Sequence, residues 1–210
     1  MSSPSLPFSF ASPAGALQDA APLTEAQEGL WYAQALDPAN PILNTGQYLE
    51  LLGPLDRNAL AQAVTRTISE APALSLRLAD PGSGPRQAPG LPPMLGFADL
   101  SVQPDAEGQA LALMQSDSRR PLRLAEEPAA ALTFFVIAPQ RHFLYLRIHH
   151  LAIDCYGLLL IANLLEGGQL AGVVQKQHGA SLPHGQPFQL TQHLRHGTGR
   201  VLVGIVEASQ

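Results

Sequence analysis

Two periods of hydrophobic positions run through the middle of the chain, and each predicts a different element. Apolar residues at three- and four-residue spacing are typical of a helix with one buried face. Such a stripe follows Asp56, a capping residue, and comprises Leu60, Ala63, Val64, Thr67 and Ile68. Leucines at every second position are typical of a half-buried strand, and they occur at Leu74, Leu76 and Leu78. The sequence therefore predicts a helix that ends at Pro72 and a strand after it.

Capping and turn residues extend this pattern in both directions. Thr24 and Gln27 have the spacing of a capping box at the start of a first helix. On this helix Ala26, Leu30 and Ala33 share one face, and Trp31 and Ala35 lie beside them. A strand is predicted over residues 47–52, a loop over the Pro-rich residues 80–93, and a third helix over 105–116. Residues 132–138 and 142–149 read as the two strands of a hairpin.

A last helix is predicted with Asp154 near its start and Gly167-Gly168 at its close. The resulting order is helix, strand, helix, strand, helix, strand, strand, helix. This order favours an α/β (α+β) lobe in which helices flank a mixed, largely antiparallel sheet.

The two ends of the chain differ from the middle. Residues 1–21 are rich in Ser, Pro and Ala and are expected to form a flexible N-terminal segment, whereas residues 22–166 form the lobe. Residues 167–210 form an atypical tail with four of the seven histidines and one acidic residue, Glu207. Its only periodic part, residues 200–206, has the pattern of a short strand. Two explanations stay open for the tail: disorder, and translation in a shifted reading frame.

Composition and charge exclude several classes of protein. A chain with 46% hydrophobic and 14% charged residues is not of the disordered class. The net charge of -5, without a basic cluster, gives no reason to expect a nucleic acid partner. The single cysteine, Cys155, cannot form an internal disulfide, and the apolar stretch of residues 156–165 is too short to span a membrane. The expectation is a soluble cytoplasmic protein.

The segment RIHHLAIDCYG, residues 147–157, carries the candidate chemistry. Side chains alternate along a strand, so His150 is predicted on the side of Leu146 and Ile148, and His149 on the opposite side. An imidazole at a strand end is suited to move or position a proton near neutral pH. Asp154 has three alternatives: it orients an imidazole, caps the next helix, or pairs with an arginine.

The same residues allow two simpler interpretations. A short motif of this kind also arises by chance, and then His149 is only a hydrogen-bonded core residue and Asp154 only a helix cap. A small metal-binding protein using His149, His150 and Asp154 is the other interpretation. Adjacent histidines that face opposite ways make poor joint ligands, which disfavours a metal site.

Five landmarks in order resemble a known family. They are LTEAQEGLW at residues 23–31, NTGQYLELLG at 44–53, LAQAVTRTISEAPALSLRL at 60–78, PLRL at 121–124 and HHLAIDCYG at 149–157. Over residues 22–166 the chain resembles the N-terminal part of a nonribosomal peptide synthetase condensation domain. The segment 60–78 is especially similar to the branch that includes siderophore synthetases.

The resemblance implies a chloramphenicol acetyltransferase-like fold, of which this chain holds one lobe and lacks the second. It implies an acyltransferase that forms an amide bond between acyl and aminoacyl thioesters. Peptidyl or acyl carrier protein partners present these thioesters on phosphopantetheine, so no cofactor is expected on the chain itself. By the same resemblance His150 is the functional histidine, while His149 and Asp154 support it, Asp154 through an arginine.

Three departures from the family pattern bear on activity. Cys155 stands where the family has a glycine, and Ser75 stands where it has an arginine, with Arg77 two residues further on the same face. The chain is also shorter than a whole domain, which predicts a truncated enzyme with doubtful activity alone. The alternative function is a non-catalytic remnant or a carrier-protein-binding module.

Overall fold

The computed structural model describes residues 20–80, 82–154, 157, 160–161 and 201–206. Three α-helices begin at polar caps. The capping box of Thr24 and Gln27 starts α1, Glu25–Leu36. The Asp56 carboxylate accepts from the amides of Asn58 and Ala59 at the start of α2, Arg57–Glu70, and Asp105 accepts from Gly108 at the start of α3, Ala106–Ser118.

Eight strands accompany these helices in the described part of the chain. They are β1 Ala21–Pro22, β2 Asn44–Leu52, β3 Leu76–Ala79, β4 Arg86–Pro89, β5 Leu95–Asp99, β6 Ala130–Ala138, β7 Arg141–His149 and β8 Val201–Val206. The larger sheet has the order β5-β6-β7-β2-β8, and the smaller one has the order β1-β4-β3. The pairing of β5 with β6 is parallel and the others are antiparallel. The prediction of a mixed, largely antiparallel sheet is therefore confirmed.

Both faces of the larger sheet are buried, because a helix packs on each. On one face α2 packs over a cluster that includes Leu49, Leu51, Leu132, Leu146 and Ile148. On the other face α3 packs with Ala110 and Met114 against Phe135, Phe143 and Tyr145. Strand alternation thus places Leu146 and Ile148 on the α2 side, and Tyr145 and Arg147 on the α3 side.

The predicted helices and hairpin are confirmed, and all five positions of the predicted α2 stripe are buried. The strand predicted from Leu74 begins instead at Leu76, because Pro72–Ser75 forms a short 3-10 helix. The residues predicted to form a loop contain β4, and β5 follows at Leu95. The strand expected in residues 200–206 is β8. Within the described part of the chain, no helix combines the length and apolarity needed to cross a bilayer.

Only part of the face of α1 that Ala26, Leu30 and Ala33 share is buried. Ala26 and Ala33 are exposed, whereas Leu30 and Trp31 pack beside a small cluster around Leu23, Leu78 and Leu151. The helix turns this way because Gln27 lies inward, where its Nε2 donates to the Leu151 carbonyl at 2.9 Å. The helix predicted after Asp154 includes Gly157 and residues 160–161, and its predicted close at Gly167-Gly168 lies outside the described residues.

Candidate active site

Backbone hydrogen bonds fix both histidines at the end of β7. The His149 amide donates to the Ala129 carbonyl at 2.8 Å, and the His150 amide donates to the Leu43 carbonyl at 2.8 Å. The strand is therefore held from both sides at the point where it ends. Because the two residues are adjacent, their imidazoles project in opposite directions, as the alternation predicted.

The His149 ring is a buried structural link. Its side chain is 2% exposed, and its Nδ1 accepts a hydrogen bond from the Leu151 amide at 3.2 Å. A backbone amide only donates, so the ring proton of the neutral form is on Nε2, which lies 3.3 Å from Gln34 Oε1. His149 thus connects the end of β7 to α1. Burial lowers the pKa of His149 to about 4, and the charges of His150 and Arg147 add to this effect.

The depressed pKa of His149 predicts a loss of stability in mild acid. Between pH 6.5 and 4 the unfolded chain takes up a proton on His149 that the folded chain does not. The free energy of unfolding is therefore expected to fall, by up to about 3 kcal/mol, as the pH drops through this window. Denaturant unfolding at several pH values should show a shallower dependence in His149→Asn than in the wild-type chain.

Burial also lowers the pKa of His142, but this contribution is present in both proteins and cancels in the comparison. Equal slopes for the wild-type chain and His149→Asn would contradict the assignment of a buried, neutral His149.

The His150 ring is held at both nitrogens and is only partly buried. Its Nε2 lies 2.8 Å from Thr45 Oγ1 on β2, and its Nδ1 lies 3.3 Å from the Ile153 carbonyl oxygen. The carbonyl can only accept, so Nδ1 carries the proton. In the neutral ring Nε2 is then the basic nitrogen. Metal-ligand clusters of three or more His, Cys, Asp or Glu residues are absent from the described residues.

Asp154 acts as the cap of the next helix. Its carboxylate is exposed and accepts a hydrogen bond from the Gly157 amide at 2.7 Å. A side chain at Gly157 would collide with Ile153, which carries the carbonyl that orients His150. Arg77, the residue considered as a partner of Asp154, donates from Nε to the Ala125 carbonyl at 3.0 Å. Cys155 lies outside the described residues.

A buried ion pair is formed by Arg147, which lies two residues before His149 on the same face of β7. The Arg147 side chain is 1% exposed, and its Nε lies 3.1 Å from Asp117 Oδ2 on α3. The contact is a charge–charge one: among the described residues, Nε and Nη1 of Arg147 have no hydrogen-bond partner. Burial lowers the pKa of Arg147, and the Asp117 carboxylate opposes that shift. An arginine among buried strand positions is a sequence signal for such a pair, because arginine is almost never fully buried unless it is paired.

An apolar cavity of about 980 Å³ opens beside α2. This is the side of the larger sheet on which Ile148 and, by alternation, His150 lie. The wall of the cavity comes from α2, the 3-10 helix after it, β4 and the start of β5. It includes Val64, Ile68, Ala73, Ala88, Pro89 and Leu95. Gln27 and Ala152, which follows His150 by two positions, are also in its lining.

The condensation domain family matches residues 17–177. A dimodular nonribosomal peptide synthase of Bacillus subtilis is 42% identical over 143 residues, which are 67% of this chain and 6% of that protein. An isonitrile lipopeptide synthase of Streptomyces coeruleorubidus is 37% identical over 71% of this chain and 10% of its own length. Enterobactin synthase component F of Escherichia coli is 31% identical over 68% of this chain and 11% of its own length.

Solved structures give the same answer for the fold. The starter condensation domain of rhizomide synthetase RzmA, in complex with C8-CoA and Leu-SNAC, superposes with a TM-score of 0.67 at 32% identity, over 70% of this chain and 34% of that one. The first condensation domain of the calcium-dependent antibiotic synthetase superposes with a TM-score of 0.63 at 34% identity, over 70% and 36%. The chain spans about a third of these structures. With its chloramphenicol acetyltransferase-like lobe and its two histidines at the end of β7, the chain belongs to the condensation domain family of nonribosomal peptide synthetases.

Proposed function

We propose that this lobe contributes His150 to amide-bond formation between a carrier-bound acyl thioester and a carrier-bound aminoacyl thioester. The observation that carries the proposal is that the two imidazoles differ in burial and in hydrogen bonding. His149 is buried with both ring nitrogens engaged in structural contacts. His150 is partly exposed, and its Nε2 is the basic nitrogen. This division favours one structural and one proton-handling histidine.

The proposed step is aminolysis of a thioester. The amine nitrogen attacks the thioester carbonyl carbon, the C–N bond forms, the C–S bond breaks, and the thiol leaves with a proton. His150 Nε2 accepts the proton that the amine loses, or donates a hydrogen bond to the tetrahedral intermediate once protonated. The thioesters arrive on the phosphopantetheine arms of carrier protein partners. His149 and Asp154 act indirectly, by holding the strand end and by capping the helix after it.

The test is a product assay with the purified chain. Acyl and aminoacyl thioesters, loaded on carrier proteins, are incubated with the chain, and the amide is measured by mass spectrometry against a buffer control. Amide above the buffer rate supports the proposal. Carrier binding without amide supports the second candidate function, a non-catalytic module that binds carrier proteins, which needs this lobe but not the remainder of a condensation domain.

The apolar cavity fits the acyl part of the donor thioester. Its lining is largely aliphatic, and one of its lining residues, Ala152, follows His150 by two positions. Ala73→Phe places a larger side chain in this space from the 3-10 helix. It is expected to weaken binding of an octanoyl thioester at least tenfold, because transfer of each CH₂ from water is worth about 0.8 kcal/mol. An acetyl thioester, which has no long acyl chain, should bind as before. Titration calorimetry measures both ligands, and equal weakening of the two would contradict the assignment.

Two further points belong to this proposal. The cell compartment is the cytoplasm, where the carrier proteins would be loaded. For residues 167–210 the proposal keeps two alternatives, disorder and a shifted reading frame; under the second, the nucleotide sequence around codons 160–170 should continue the condensation family in another frame. The same tail recurring in frame in related sequences would contradict the shift.

A further inference from the structure

The hydroxyl of Thr45 is hydrogen-bonded to the basic nitrogen of His150. Thr45 is the second residue of β2 and pairs with Ile148 in the antiparallel ladder with β7. It shares a face with Gln47 and Leu49, the face on which His150 continues from Ile148. The Oγ1–Nε2 distance of 2.8 Å is that of a well-formed hydrogen bond.

The direction of this hydrogen bond follows from the other side of the ring. The Ile153 carbonyl holds the ring proton on Nδ1, so Nε2 of the neutral ring offers a lone pair and Thr45 donates to it. A ring nitrogen has one lone pair in the ring plane, and here the hydroxyl occupies it. A hydroxyl is both donor and acceptor, so Thr45 can also accept from Nε2 once the ring is protonated.

We propose that Thr45 is a catalytic residue that relays the proton of the attacking amine to His150 Nε2. The amine N–H is transferred to Thr45 Oγ1 while the hydroxyl proton of Thr45 moves to Nε2. The hydroxyl is restored in the same step, and the ring becomes positively charged. The thiolate leaving group then takes a proton from the ring by the reverse path. This inference rests on the proposed function of His150 and adds a second residue, from β2, to the same site.

Two variants separate the hydroxyl from the shape of the side chain. Thr45→Val keeps the β-branched shape, which suits a strand, but removes the hydroxyl. Thr45→Ser keeps the hydroxyl and loses one methyl group. In the product assay Thr45→Val is expected to lower the rate of amide formation about 10²-fold or more, the scale of a lost proton transfer, while Thr45→Ser retains most of the rate.

Measurements on the chain without substrate test the geometry independently. Nitrogen-15 NMR should show the neutral His150 ring protonated on Nδ1. The Nε2 signal should move in Thr45→Val and return in Thr45→Ser. A neutral ring protonated on Nε2 would overturn the relay, and so would an Nε2 signal at the same position in Thr45→Val and in the wild-type chain.

The outcomes of the assay distinguish the two proposals. A wild-type chain that makes no amide overturns the relay together with the proposed function. Wild-type amide that is lost in His150→Ala but kept in Thr45→Val overturns the relay alone. Loss in both, with rescue by Thr45→Ser and unchanged unfolding of all variants, supports it.

Discussion

Asp117→Asn is expected to destabilise the lobe by about 3–5 kcal/mol, because it leaves a buried arginine without its counter-ion. Arg147 is 1% exposed on the side chain and Asp117 is 12% exposed. The amide of asparagine keeps the shape of the carboxylate but not its charge. The carboxylate of Glu127, the other acidic group near Arg147, is already held by a bidentate contact from Arg120, so it does not replace Asp117 as the counter-ion. Denaturant unfolding at pH 7 measures the effect.

A matched control comes from an exposed ion pair on α2. Arg66 and Glu70 are in contact at 2.7 Å, with side chains that are 68% and 37% exposed. Exposed pairs of this spacing contribute about 0.3–0.5 kcal/mol, so Glu70→Gln should have little effect. The double variant Asp117→Leu/Arg147→Met should recover much of the stability that Asp117→Asn loses, because apolar replacement of a whole buried pair is often neutral. Equal stability of Asp117→Asn and Glu70→Gln would refute the buried-pair account.

His150→Ala is expected to lower the rate of amide formation by about 10²–10⁴-fold, the usual contribution of a positioned acid or base. The side chain is partly exposed and lies beyond the last residue of β7. Its removal should therefore change folding much less than His149→Asn, which breaks the link to α1. Initial rates with saturating carrier-bound thioesters measure the effect, and unfolding curves check the fold. Glu70→Gln serves again as the control and should keep the wild-type rate. A rate unchanged by His150→Ala would remove this histidine from the mechanism.

The local sequence pattern was sufficient to predict those features that depend on residues within a single helix or strand. The stripe from Leu60 to Ile68 on α2 and the capping box at Thr24 follow from spacing within a few residues. The opposite directions of His149 and His150 follow from strand alternation in the same way. The position of Asp154 allowed three roles, and the hydrogen bond from Gly157 shows it as a helix cap.

Contacts between distant parts of the chain were not accessible to this reasoning. Thr45 and His150 are 105 positions apart, and they meet because the register of β2 against β7 brings the start of one strand to the end of the other. Asp117 reaches Arg147 only because α3 crosses the same face of the sheet. The strands β4 and β5 were missed because prolines dominate the local signal around them; Pro89 is the last residue of β4, and β5 contains no proline.

Pairing with β8 makes β2 an interior strand of the larger sheet. Because β8 pairs with β2 from Gly46 to Leu51, β2 has neighbours on both sides. A shortened version of the chain that stops at residue 166 would turn β2 into an open border with a row of unsatisfied amides and carbonyls, a template for joining strands of other molecules. Self-association through that border, rather than unfolding, is the failure that such a shortened chain should be screened for.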